Sequence, residues 1–280
     1  MSLIGTHVSA AGGIWNAISR GESLGCESIQ IFTRNQLQWK APPISESVAA
    51  RFMAAWRDSS IVRVVAHASY LINLASEGKT RERSIASLVE EINRCEQLGI
   101  DDLVLHPGSH LGEGAERGKE LVSEALRKVI ERTGSARTRI LIETMSGQGH
   151  TIGSTIEDIA WILEKVGDHS RAGICLDTCH LFAGGYELRG RSSYERLVRS
   201  VEKHVGSRHV GCWHLNDSKT DMGSRLDRHE HIGEGYIGSE VFTCIVSDPL
   251  WEETPCLLET PKEGPGDEGN LALLKKMRGY

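Results

Sequence analysis

Eight short, largely apolar runs alternate with amphipathic segments along this chain, and that rhythm leaves few folds open. The runs are LIGTHVS (3–9), SIQIFT (28–33), VRVVAHA (62–68), DLVLHPG (102–108), RILIETM (139–145), RAGICLDTCH (171–180), HVGCWHLND (209–217) and PCLLETP (255–261). They are rich in β-branched residues and mostly lack the polar/apolar alternation of a half-exposed sheet, the pattern of parallel strands covered on both faces. Between them, SVAARFMAAW, RSIASLVEEINRCEQLG, RGKELVSEALRKVIERTG and TIEDIAWILEKVG carry helical periodicity, with Gly99, Gly134 and Gly167 marking helix ends. Eight strand–helix units in 280 residues predict one α/β domain over 1–280, a (β/α)8 TIM barrel, with a doubly wound open sheet as the structural alternative.

Composition narrows the function classes. No window approaches 18 uninterrupted apolar residues, and the first residues lack the basic and apolar stretches of a signal peptide. The expectation is a cytoplasmic protein with no membrane partner. Seven cysteines, an odd number without a CxxC, read as free and buried thiols. A net charge of −6 by itself argues against a nucleic-acid partner. That argument weakens if bound cations reverse the local field.

The polar residues within the strand runs are not scattered. His67, His106, Glu143, Asp177 with His180, His214 and Glu259 stand at the C-terminal ends of six successive strands. In a barrel those ends meet on one face, where active sites are built. Carboxylates gathered there would repel one another and be costly to desolvate, and bound cations remove that cost. Imidazole and carboxylate donors without a thiolate cluster favour zinc, manganese or iron. The segment SRLDRHEHIGEGYIG (224–238) adds Asp227 and His229, two residues apart and so on the same side of an extended chain. His231 has the same spacing and competes with His229, whereas Glu230 points the other way, toward solvent. Nine donors could serve three metals, since an open catalytic zinc site typically uses three protein ligands. The Gly233-x-Gly235-x-x-Gly238 pattern looks like a nucleotide fingerprint, but it follows a charged loop instead of a strand, so it reads as turn glycines. His7 reads as a neighbour of the site or a groove residue, with a core histidine equally open. His110 reads as a contact around the site or to DNA and not as a ligand, because Pro107-Gly108 breaks its helical spacing from His106.

With these residues in view, GTHVSAAGG (5–13), FTRNQLQW (32–39), SYLINL (69–74), HPGSH (106–110), LDTCH (176–180), HLNDSK (214–219), GSRLDRH (223–229) and GEGYIG (233–238) together resemble the endonuclease IV family, zinc-dependent apurinic/apyrimidinic endonucleases of base-excision repair. The resemblance covers nearly the whole chain. It implies three zinc ions: one on His67, His106 and Glu143; a second on Glu143, Asp177, His214 and Glu259; a third on His180, Asp227 and His229. It thereby prefers His229 to His231. It implies hydrolysis of the phosphodiester 5′ to an abasic site in duplex DNA by a zinc-held hydroxide, giving a 3′-hydroxyl and a 5′-deoxyribose phosphate, together with trimming of blocked 3′ ends. Glu143 would set the metal spacing, and Glu259 is the candidate for a base. The loops with Asn35, Gln36, Leu37 and Gln38 and with Tyr70 and Leu71 would enter the DNA, and Arg228 is placed for a phosphate near the third metal. A monomer is expected. The family often has arginine where this chain has Leu37, so the salt-dependent part of DNA affinity is expected to be weaker here.

Two other readings compete. A metal-dependent sugar isomerase or epimerase would also place His, Glu and Asp at barrel strand ends, but the His180, Asp227, His229 set and the two loops argue against it. A nonenzymatic abasic-DNA binder would not need a full ligand set.

Overall fold

Each strand run carries only four to six residues of extended backbone, and in the six donor-bearing strands the sheet stops at the polar residue or one residue before it. The computed structural model describes residues 1–279. The barrel strands are β1 (Leu3–His7), β2 (Ser28–Phe32), β3 (Arg63–His67), β4 (Asp102–Leu105), β5 (Arg139–Glu143), β6 (Ala172–Asp177), β7 (Val210–His214) and β10 (Pro255–Leu258), all parallel. The sheet closes because β1 pairs with both β2 and β10, so the barrel has no open edge. This excludes the doubly wound open sheet.

Helices α1 (Asn16–Ser23), α2 (Glu46–Arg57), α3 (Gly78–Leu98), α4 (Ala115–Arg132), α5 (Ile156–Val166), α7 (Arg191–His204), α8 (Glu240–Ser247) and α9 (Gly266–Arg278) cover the outside. Hydroxyl caps begin two of them: Ser45 Oγ accepts the Val48 N–H, and Thr155 Oγ1 accepts the Asp158 N–H. Gly99 and Gly167 end α3 and α5 in the left-handed region, with φ of +71° and +75°. Gly134 does not share that role. The α4 cap is Thr133 at φ −112°, whose hydroxyl bonds back to the Val129 carbonyl at 2.8 Å. Among the described residues, no helix is long and apolar enough to cross a membrane. All seven cysteines are free and buried.

Alternation of side chains along a strand sets up the site. Val65, Val104, Leu141, Cys175, Cys212 and Leu257, one from each of six strands, form an apolar cluster apart from the larger core between sheet and helices. Two residues further along each strand, on the same face, stand His67, His106, Glu143, Asp177, His214 and Glu259. The apolar layer is thus a floor for the polar cluster, and each of its larger side chains contributes about 1.5–3 kcal/mol by burial.

All eight runs are shorter as strands than the sequence suggests, and in two of them the remainder forms another element. RAGICLDTCH leaves the sheet at Asp177, whose carboxylate accepts the His180 N–H at 2.7 Å and starts the short helix α6 (Thr178–Gly184). HVGCWHLND leaves it at His214. Asp217–Ser218 then forms β8, which pairs antiparallel with β9 (His229–Glu230) above the barrel.

Candidate metal centre

Nine donor side chains converge at the C-terminal mouth in three groups. Within each group one donor atom per residue lies within 4.8 Å of all the others. The first is His67, His106 and Glu143, with the two Nε2 atoms 3.3 and 2.9 Å from Glu143 Oε2. The second is Glu143, Asp177, His214 and Glu259. Here His214 Nδ1 is 3.0 Å from Glu143 Oε1, 3.4 Å from Glu259 Oε2 and 3.8 Å from Asp177 Oδ2. The third is His180, Asp227 and His229, whose Nε2 atoms each lie 3.2 Å from an Asp227 oxygen. Glu143 belongs to the first two groups and turns one oxygen toward each.

For four of the five histidines, the remote side of the imidazole fixes which nitrogen faces inward. The Nδ1 atoms of His67, His180 and His229 meet the carbonyls of Ala68, Thr144 and Glu259 at 2.8, 2.8 and 3.1 Å. His214 is reversed: Nε2 meets Gln30 Oε1 at 2.8 Å, which leaves Nδ1 toward the carboxylates. Outward N–H donation of this kind holds the tautomer a metal ligand needs. The buried Nε2 atoms of His180 and His229 have no hydrogen-bond partner among the described residues. Orphaned imidazole nitrogens aimed at a carboxylate, with oxygen and nitrogen donors only, fit divalent cations such as zinc, manganese or iron.

The electrostatics fit as well. Burial raises the carboxyl pKa values of Glu143 and Glu259, but the surrounding histidines, His214 foremost, outweigh it and hold both below the usual range. Burial likewise disfavours the charged form of His229, yet the Asp227 carboxylate 3.2 Å away and the charge of Asp177 push it up to about 9. Without metal, protons neutralise the cluster; a bound cation takes over that role and releases them. Two further groupings include cysteines, Cys175 and Cys212 with His214, and Cys179 with Asp177 and His229. Burial pushes the Cys175 thiol far up and the Cys179 thiol to about 12, so neither supplies a thiolate near neutral pH; burial opposes the charged form of Cys212 too, but its contact with Cys175 holds that thiol down, and it lies in the apolar layer below the donors.

The remaining candidates separate in place. His231 is buried away from the donors against Asn270 of α9, 3.0 Å from its amide, so it belongs to none of the groups. Glu230 is only partly exposed, and its carboxylate accepts the His231 N–H. His7 touches the site through Gln30 and stands 3.6 Å from Glu259. His110 does not: its Nδ1 accepts the N–H groups of Gly112 and Gly114 and braces its own loop. Asn35, Leu37 and Gln38 are exposed and Gln36 partly so. Tyr70 is 48% exposed, Leu71 is half-buried and Arg228 is exposed on the third group's loop. The glycine pattern does cradle an anion, but one from the chain itself: the N–H groups of Gly233, Gly235 and Ile237 converge on the Asp217 carboxylate at 2.9–3.1 Å. A side chain at Gly235 would strike Ser218 O and Asp217, so that glycine is required for the close approach.

Sequence reading missed two residues of the cluster. Gln30 reaches Glu259, His214 and His7 together. Asn216 donates to Asp177 Oδ2 at 2.7 Å and accepts the Glu259 N–H at 2.8 Å. For Gln30 a signal existed, a lone amide between Ile29 and Ile31 in the SIQIF strand.

Comparison with known proteins identifies the family and the fold. A family profile described as a xylose isomerase-like TIM barrel matches residues 18–279. A probable endonuclease 4 of Chloroflexus aurantiacus is 44% identical over 99% of this chain and 98% of its own length. The crystal structure of endonuclease IV from Thermus thermophilus superposes with a TM-score of 0.88 at 31% identity, covering 98% of both chains. A D-tagatose 3-epimerase-like protein has a TM-score of 0.75 at 16% identity, covering 98% of this chain and 96% of its own; that likeness is one of fold alone. Matched across nearly its full length, the chain belongs to the endonuclease IV family.

Proposed function

We propose that this protein is a zinc-dependent DNA-repair endonuclease that hydrolyses the phosphodiester 5′ to abasic sites in duplex DNA, leaving a 3′-hydroxyl and a 5′-deoxyribose phosphate, and that it trims blocked 3′ ends. Family membership makes it a DNA-cleaving hydrolase. The observation that carries the finer reading is the arrangement of three donor groups around the shared carboxylate of Glu143. We assign one zinc to each group, in a single barrel domain acting as a monomer. Bound there, zinc ions supply Lewis acidity toward the phosphodiester and an acidified water near neutral pH.

The chain's own residues do the rest. Glu143 spaces the first two groups. Glu259, braced by Gln30 and Asn216, stands where a proton from the attacking water can be received. Asp227 and His229 lie toward the rim, where a departing 3′ oxygen would be met. An abasic sugar has no base to unstack, so turning it out of the helix costs less than for a paired nucleotide. Leu37, Tyr70 and Leu71 on the rim suit the gap it leaves. Arg228 would meet a phosphate beside the third group.

The test is incision of a duplex holding one tetrahydrofuran abasic analogue, beside an undamaged duplex. The analogue has no aldehyde for β-elimination. The expected outcome is one nick 5′ to the lesion with a 3′-hydroxyl end, lost on metal stripping and restored by zinc. No nick from fully metallated protein would reject the reading and bring the sugar epimerase forward.

A further inference from the structure

The two rim loops come from different strands, yet they share one buried carboxylate. Glu91, on the inward stripe of α3 with Leu88 and Cys95, is 1% exposed. Its Oε1 accepts the Arg34 Nε–H at 2.7 Å and the Ser69 N–H at 3.3 Å, while its Oε2 accepts the Thr33 hydroxyl at 2.7 Å. Thr33 and Arg34 lead into the loop of Leu37, and Ser69 begins the loop of Tyr70. A direct staple adds to this: Ser69 Oγ donates to the Gln36 carbonyl at 2.7 Å. Arg34 also donates to Ser87 Oγ and to the Trp39 carbonyl, so it grips both ends of its own loop.

What the bracket holds is apolar and exposed. Leu37 is 67% exposed, in a turn where Asn35 Oδ1 accepts the Leu37 N–H. The Tyr70 ring rests 5.4 Å from His67 and 5.5 Å from His106, between centroids. The bracket therefore fixes both tips relative to each other and to the metal donors. Packing alone does not call for this design. A buried ion pair stabilises no better than apolar residues of similar size, and its attested use is to select one geometry.

We infer that Ser69, its N–H held by Glu91 and its hydroxyl stapling the Gln36 carbonyl, is a positioning residue that joins the two rim loops into one rigid wedge for recognising the distorted duplex. The inference rests on the function proposed above. Glu91 touches no donor group; it acts on the loops.

The test uses the zinc-loaded full chain and single-turnover incision of the tetrahydrofuran duplex, with zinc content measured for each variant. Ser69→Ala removes the staple and leaves the buried charges in place. It should raise the half-saturating protein concentration about tenfold, as expected for loss of one hydrogen bond, and lower the maximal rate by less. Glu91→Gln should raise the half-saturating concentration further. Zinc content should stay at the unsubstituted level in both. The combined loss from Leu37→Ala and Tyr70→Ala should be non-additive in the unsubstituted chain and additive in the Ser69→Ala background. If Glu91→Gln fails to fold, Ser69→Ala decides alone. Unchanged half-saturation in Ser69→Ala, or a fall in rate matched by loss of zinc, overturns the inference while the endonuclease reading stands. Failure of the unsubstituted chain to nick overturns both.

Discussion

The first two donor groups and the third are made from different kinds of chain. Apart from the bracing, the first two hang from barrel strands: each donor stands two residues above an apolar floor residue, and Glu143 between them is wholly buried. The third is assembled from the first turn of α6 and from the loop and short strand β9, and its Asp227 side chain is 38% exposed. The strand-borne groups are fixed by the same hydrogen bonds that hold the barrel. The third is fixed by Asp177 capping α6 and by the hairpin of β8 and β9. One cluster thus combines a deep rigid part with a shallow part that opens to the rim.

The largest expected effect breaks the shared element. Glu143→Gln should cost more than one equivalent of zinc and lower incision by at least about 10³-fold, because it disables two groups at once. Metal analysis of the purified variant checks this, and full zinc occupancy would remove Glu143 from its bridging role. Asp227→Asn should cost a single equivalent and about 10²-fold in rate, with the first two groups still loaded. Loss of all zinc from that variant would mean that the deep and shallow parts are not independent.

A pH experiment sharpens the same contrast. The His229 pKa is raised in the folded state from 6.5 to about 9. Its contribution to metal-free stability is therefore complete below pH 6.5 and lost as pH rises through about 9. Chelated protein should melt a few degrees lower at pH 9 than at pH 6.5, and Asp227→Asn should flatten that fall. Zinc-loaded protein should gain relative stability over the same window, since the metal no longer competes with protons. A melting temperature of the chelated protein that rises with pH would contradict this assignment. The smallest effect belongs to the rim: Leu37→Arg should steepen the salt dependence of duplex affinity by about one phosphate contact and leave zinc content unchanged. Identical binding across a salt titration would mean that position 37 meets no phosphate.

The same division explains what was legible in the sequence. The six strand-end donors could be read because a period-two strand places a residue by counting, and because His, Glu and Asp stand out against Val, Leu and Cys. Asp227 and His229 were marked by their spacing, but choosing His229 over His231 needed the family resemblance. The structure supplies the physical reason, the contact of His231 with Asn270 some 39 positions away. Gln30, Asn216 and Glu91 act through partners on other elements, which no local pattern encodes. The same is true of Asp217, whose capture of the glycine loop made an internal nest look like a nucleotide site. The early end of the sixth run was locally encoded all the same, since LDTCH contains its own helix cap.

Placing each strand-borne donor two residues above its floor partner has a consequence for how such a chain can change in length. Which wall of the barrel a side chain faces depends on whether an even or an odd number of residues precedes it in the strand. Deleting one residue between Val104 and His106 would turn the imidazole out among the helices, although every residue type in the site survives. Deleting two upstream would keep the facing and lower the donor by one pleat, roughly 6.6 Å. The cluster therefore reads its strands by parity. Insertions and deletions belong in the loops, and within the strands an alteration of one residue does more damage than most substitutions.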